Sequence, residues 1–243
     1  LHFPLYLCAM HIDVLFEDNH LLVVNKPAGM PVQGDHTGDP HLVEWAERYI
    51  ADKAGKPGMA FVGLVHRLDR PVSGAVVLAK TSKALARMNE VFRNKQNQKI
   101  YRAITLFELP QEEGTLIHYV DKDPVTLKAV AYKTPKPGAK SAVLHYKLLA
   151  NYAGRFYYEI RLETGRFHQI RVQLSKAGCP IVGDLKYGAR EALPDRSIAL
   201  HAYRLISPHA SKVAQPIDVL APVPRAQWWE LFNGYHKTQG KRR

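Results

Sequence analysis

The sequence reads as an α+β chain, because β-hairpin signals dominate it and a few amphipathic helical stretches interrupt them. One hairpin signal is the pair of apolar runs Val14 to Phe16 and Leu21 to Val24, which flank Glu17-Asp18-Asn19-His20. Another is Ser141 to Leu149 and Arg155 to Leu162, joined through Asn151-Tyr152-Ala153-Gly154. The helical signals are Leu42, Trp45, Ala46, Tyr49 and Ile50 in one stretch and Leu85, Met88 and Phe92 in the next, both at helical spacing.

In chain order, Lys26-Pro27-Ala28-Gly29 ends the second strand. Asp39-Pro40 then predicts a helix N-cap followed by proline at the first helical position. The aromatic residues of that helix, Trp45 and Tyr49, read as core. Leu64 and Val65 end an apolar strand and Ala75 to Ala79 form the next, with Pro71, Ser73 and Gly74 as turn chemistry between them. Thr81 caps the second helix. Lys99 to Phe107 alternates as a strand with Ile100, Ile104 and Leu106 on one face and Tyr101, Ala103 and Thr105 on the other. Residues 108–140, broken by Gly114, Pro124, Pro135, Pro137 and Gly138, read as surface loops with a short hairpin. Thr164 is the expected N-cap of a helix whose apolar stripe is Phe167, Ile170 and Leu174. Gly183 to Gly188 is a polar turn, Ile198 to Ile206 a strand, and Pro224 opens a last helix that docks Trp228, Leu231 and Phe232. Without repeats or low-complexity linkers, residues 13–233 are expected to form a single domain, flanked by an N-terminal extension 1–12 and a basic tail 234–243. Met10 is a candidate start, with Leu1 to Ala9 an upstream extension.

Charge narrows the partner. Across 243 residues, 34 Lys and Arg face 22 Asp and Glu, and the net charge of +12 points to a polyanion, most simply nucleic acid. Cys8 and Cys179 make no CxxC pair, and the twelve histidines show no HExxH or clustered Cys/His spacing. No metal site is expected, therefore, and a reduced intracellular setting is. The first ten residues are too short and too poor in basic residues for a secretory signal. No run reaches the roughly 18 apolar residues that a membrane span needs, so a cytoplasmic protein without a membrane partner is the expectation.

Two clusters carry candidate chemistry. In Val65-His66-Arg67-Leu68-Asp69-Arg70 a carboxylate sits between two arginines on a strand-to-strand loop. Arg67 and Arg70 should favour its ionised form, which can act as nucleophile or general base; a structural aspartate capping its own turn would present the same residues. In Gly165-Arg166-Phe167-His168-Gln169-Ile170-Arg171, an arginine in the first helical turn opposes the helix dipole. Arg166 would therefore suit an anion there, and a solvated arginine fits the pattern as well. His168 and Arg171 are three residues apart, close enough to act on a common partner. Tyr101 is a candidate cleft residue, or else a half-buried strand tyrosine.

These stretches resemble the RluA-type pseudouridine synthases, in order and at family spacing from about Asp13 to Pro208. The resemblance rests on Leu21 to Gly29 followed by Met30-Pro31-Val32, on His66-Arg67-Leu68-Asp69 with Ser73-Gly74, on Lys99-Ile100-Tyr101-Arg102-Ala103, and on Gly165 to Arg171. Gly183-Asp184 with Tyr187-Gly188, and Leu200-His201-Ala202 with Leu205, match the closing segments. One departure is Val72 before Ser73, where the family usually has threonine. The resemblance implies a mixed, largely antiparallel sheet with flanking helices and a central basic cleft. It further implies isomerisation of uridine to pseudouridine in structured ribosomal or transfer RNA. By resemblance, Asp69 attacks or deprotonates the ribose, Arg171 pairs with and orients that carboxylate, and Tyr101 packs against the uracil. Arg67 enters the RNA stack where the target base has flipped out, with His66, Arg166 and His168 as further RNA contacts. No cofactor, nucleotide or metal is required, because the reaction breaks N1–C1′ and joins C5–C1′ without a redox step. The catalytic segment begins by about Asp13, so the small N-terminal RNA-binding domain that many members carry is expected to be absent. RNA affinity would then come from the catalytic domain, helped by Lys133, Lys136, Lys140 and the basic tail. A monomer is the expectation. The main rival is an inactive RNA-binding protein of the same fold. A nucleoside glycosidase would need a second carboxylate that the Asp69 loop does not offer.

Overall fold

The computed structural model describes residues 11–211 and 215–235. The upstream stretch through Met10, with Cys8, and the basic tail from His236 lie outside them. The described chain divides into two compact units: residues through Asn97 with Arg204–Pro222, and Gln98–Tyr203 with the described residues from Val223 onward.

In the first unit, strand β2 (Leu21–Lys26) pairs antiparallel with β1 (Val14–Glu17) and with β4 (Ser73–Ala79), and β3 (Gly63–Leu64) pairs with the far end of β4. Leu21 to Val24 and all of β4 are buried, as expected of unbroken apolar runs covered on both faces. Helices α1 (Leu42–Lys53) and α2 (Ser82–Arg93) flank these strands. Thr81 caps α2 as predicted, its hydroxyl accepting from the Ala84 N–H at 3.1 Å. Met88 is fully buried and Leu85 and Phe92 pack against the same cluster. Helix α1 begins after the predicted Asp39-Pro40: His41 is its N-cap, with Nδ1 accepting from the Glu44 N–H at 3.2 Å. The Asp39 carboxylate is engaged by Arg70 instead. Strand β11 (Ile217–Leu220) pairs with Arg204–Ser207, the second half of β10 (Leu200–Ser207).

The second unit is an antiparallel series in the order β5 (Gln98–Thr105), β9 (Arg155–Leu162), β8 (Lys140–Tyr152), β6 (Glu113–Lys122), β7 (Ala129–Tyr132). The short hairpin expected within 108–140 is β6–β7, and β6 is longer than expected, running as a ten-residue strand from Glu113 to Lys122. It pairs along β8 from Glu113↔Lys147 to Val120↔Lys140. Gly114, which reads as a breaker, is instead a close approach, since a Cβ there would lie 2.8 Å from the Tyr146 hydroxyl. The β8–β9 hairpin closes on Ala153 and Gly154, with φ of 50° and 71°, the pair of positive values that a two-residue turn matched to strand twist demands. Helix α3 (Gln169–Lys176), a 3₁₀ turn at Leu185–Tyr187 and the short α4 (Gln227–Glu230) complete the unit. Helix α4 starts at Gln227 and not at Pro224; Phe232 is buried as expected, whereas Trp229 is buried in place of Trp228, which is half-buried with the Arg155 guanidinium 4.8 Å from its ring.

Candidate active site

Asp69 is half-buried on the loop between β3 and β4, in the first unit. The loop is fixed through its main chain. Lys26, the last residue of β2, is fully buried, and its ammonium donates to the carbonyls of Pro27 and Met30 at 2.8 Å each and of Arg70 at 3.3 Å. The Arg70 carbonyl also accepts from the Gly29 N–H at 2.8 Å. Burial lowers the Lys26 pKa to about 7, against an opposing pull from the nearby Asp69 carboxylate and with a further push from Arg70. A buried lysine facing Asp69 is the feature that sequence reading missed. Its signal was a lysine closing the otherwise apolar run Leu21 to Val24 just before Pro27.

Arg70, expected to favour ionised Asp69, serves other acceptors. Its Nε donates to the Gly29 carbonyl at 2.9 Å and its guanidinium is paired with Asp39 and lies 3.8 Å from Asp35. Arg67 is exposed and makes no hydrogen bond or ion pair among the described residues. His66 turns inward: Nε2 accepts from the Val77 N–H at 3.1 Å and the ring stacks on Phe92 at 5.0 Å. That acceptor role places one ring nitrogen in the scaffold.

Tyr101, Arg166, His168 and Arg171 belong to the second unit. Tyr101 is buried on β5, 7% exposed. Lys99, two residues earlier, approaches the arginine motif, since a Cβ on Gly165 would lie 3.2 Å from its Nζ. Helix α3 starts at Gln169, so Arg166 and Phe167 precede it and the first-turn dipole argument for Arg166 lapses. Thr164 lies well before that start and is buried; its hydroxyl bonds the Val143 N–H and the Gln169 carboxamide, both at 2.8 Å. Arg166 donates through Nε to the Ser141 carbonyl at 2.9 Å. His168 is the N-cap in the left-handed region at φ 51°, a conformation that costs a non-glycine residue on the order of 1 kcal/mol.

Arg171 is 4% exposed and forks onto Asp184, with Nε to Oδ2 at 2.7 Å and Nη2 to Oδ1 at 2.8 Å. A bidentate, buried pair of this kind holds the guanidinium plane in one orientation. The Tyr187 ring lies under the same guanidinium, 4.9 Å away. Its hydroxyl accepts from the Ala129 N–H at 2.7 Å and contacts His168 Nδ1 at 2.7 Å. His168 and Arg171 both contact Tyr187, although His168 does so from the N-cap and not from the helix face. Gly183 makes this turn possible, because at φ 85° a Cβ would meet Leu193 and the Ser197 carbonyl at 2.8 Å.

Comparison with known proteins settles the family. A family model described as RNA pseudouridylate synthase matches residues 20–176, which take in Asp69, Tyr101 and Arg171. The chain belongs to the RNA pseudouridylate synthase family. Members of this family are isomerases. The chain is 33% identical over 231 residues to an uncharacterised RNA pseudouridine synthase of Synechocystis, covering 91% of this chain and 69% of that protein. It is 34% identical to the ribosomal large subunit pseudouridine synthase D of Neisseria meningitidis over 229 residues, 88% of this chain and 59% of the other. Against the synthase D of Zymomonas mobilis it is 35% identical, with coverage of 88% and 70%. Among solved structures it is similar to human RNA pseudouridylate synthase domain containing 4, with a TM-score of 0.74, 26% identity, and coverage of 93% of this chain and 92% of that one. The α+β family fold expected from the sequence is the one observed.

Proposed function

We propose that this chain isomerises uridine to pseudouridine in structured RNA, with Asp69 as the group that attacks or deprotonates the ribose. The observation that carries the reading is the Asp69 loop itself: a half-buried carboxylate on a main-chain-anchored turn, in a chain of the RNA pseudouridylate synthase family. In the reaction the N1–C1′ bond breaks, the uracil turns, C5 bonds to C1′, and the C5 hydrogen leaves as a proton while N1 takes one up. Tyr101 packs against the uracil and Arg171, fixed by Asp184, is the cation of the same reaction. Arg67, exposed and without a hydrogen bond or ion pair among the described residues, supplies an RNA contact, and Arg166 and His168 lie on a second RNA-facing stretch.

Large-subunit ribosomal RNA is the proposed substrate, supported by relatives named as large-subunit synthases in Neisseria and Zymomonas; transfer RNA is the second candidate. The decisive assay is tritium release from C5-labelled RNA of cells lacking the enzyme, with ribosomal and transfer fractions kept apart. Release from the ribosomal fraction alone is expected. Release from transfer RNA alone would reassign the substrate, and release from neither, with RNA binding intact, would favour the inactive binder.

A further inference from the structure

Phe167 was expected in the apolar stripe of α3, but it precedes the helix and its side chain is 40% exposed. The residues around it are held. Arg166 N–H donates to the Gln169 carboxamide at 2.9 Å, Gln169 Nε2 donates to the Val143 carbonyl at 3.1 Å, and His168 is tied to Tyr187. The left-handed His168 turns its ring under Phe167, with ring centres 3.7 Å apart at 21°. One face of Phe167 is therefore backed by a flat, fixed ring. Over the phenyl ring stands the Lys122 ammonium, 5.0 Å from its centre. Lys122 and Lys140 are exposed and Arg166 is half-buried. The result is a rigid exposed aromatic ring beside cations, the pairing that binds single-stranded nucleic acid by base stacking and phosphate contact.

We infer that Phe167 is a stacking platform for an unpaired base of the RNA substrate, with Lys122 moving from the ring face to a neighbouring phosphate when the base arrives. The occupant follows from complementarity: an apolar flat face selects a flat ring, and the cations around it select a polyanion. This inference rests on the reading of the chain as an RNA enzyme and adds a binding position that the reaction itself does not require.

The test uses a fluorescein-labelled oligouridylate and an abasic oligomer of equal charge, each titrated by anisotropy at low salt against the wild-type chain, Phe167→Leu and Phe167→Trp. Phe167→Leu should weaken oligouridylate binding by roughly tenfold, the range expected for losing one stacked base, and leave abasic binding and the salt slope unchanged. Phe167→Trp should keep or strengthen it. A 4-thiouridine-substituted oligomer, irradiated and mapped by mass spectrometry, should crosslink at Phe167. Equal oligouridylate affinity for wild type and Phe167→Leu, with no crosslink at Phe167, would overturn the platform while leaving the RNA reading standing. Failure of the wild-type chain to bind the oligouridylate would likewise overturn the platform, while the RNA reading stands or falls separately with tritium release from ribosomal and transfer RNA.

Discussion

The loop that carries Asp69 and the helical turn that carries Arg171 are each fixed within their own unit, but by different kinds of bond. Around Asp69 the identified anchors, Lys26 and Arg70, act on the carbonyls of Pro27, Gly29, Met30 and Arg70. Around Arg171 the anchors run from side chain to side chain, through Asp184, Tyr187 and His168. Anchoring through main-chain carbonyls leaves the loop's side chains other than Arg70 exchangeable without loss of the loop, whereas a side-chain network makes the functional group part of the fold's stability. Substitutions should therefore separate activity from stability at Asp69 and couple them at Arg171.

The largest stability effect belongs to the side-chain network. Asp184→Ala removes the bidentate carboxylate from the buried Arg171 guanidinium, and should cost about 3–5 kcal/mol in urea unfolding. An unchanged midpoint would show that the network does not hold the helix. Next comes Lys26→Met, which removes the donor from three carbonyls and should cost about 1–3 kcal/mol at neutral pH. Its pH dependence sharpens the comparison. The folded-state pKa of about 7 lies below the ordinary 10.5, so between these values the unfolded chain holds a proton that the folded chain has released. Wild-type stability relative to Lys26→Met should thus rise as pH rises from 7 toward 10. Thermal melts at pH 7 and 9 check this, and a constant difference would mean that Lys26 keeps its ordinary titration.

Glu17 provides a reference point in the first unit, away from the loop. Burial alone would raise its pKa, but hydrogen bonds from Lys53, Lys80 and Tyr49 overcome that and lower it from 4.5 to about 2. Its contribution is present above pH 4.5 and lost as pH falls through 2, so Glu17→Gln should cost about 1–2 kcal/mol at pH 7 and flatten the acid limb of unfolding. Equal acid limbs for the two proteins would contradict this. The smallest change is Tyr187→Phe, which leaves the Ala129 N–H without its acceptor. A loss of about 1 kcal/mol in urea unfolding is expected.

Much of this was legible from local pattern. The hairpins at Val14–Lys26 and Lys140–Leu162, and helix α2 with its Thr81 cap, follow from apolar runs, turn residues and a capping hydroxyl that act over a few positions. The full length of β6 was hidden because Gly114 reads as a breaker until Tyr146, its close neighbour, is known. Phe167 was misplaced because helical spacing does not reveal that the left-handed His168 delays the helix start to Gln169. At the candidate site, the motifs propose Asp69, Tyr101 and Arg171 but carry no sign of what holds them. Lys26 contacts Arg70 from 44 positions away and Asp184 pairs with Arg171 across 13, distances at which a sequence carries no local signature of a bond. Likewise Arg70 stands beside Asp69 in sequence yet turns to Asp39, because a side chain's direction is decided by where the partner loop returns.

The most direct test of the account is single-turnover tritium release by Asp69→Asn from C5-labelled ribosomal RNA, with its urea midpoint measured on the same preparation. The expected result is a wild-type midpoint and no release above background, a loss of at least about a thousandfold. Release near the wild-type rate by the folded variant would contradict the assignment of the carboxylate to the reaction.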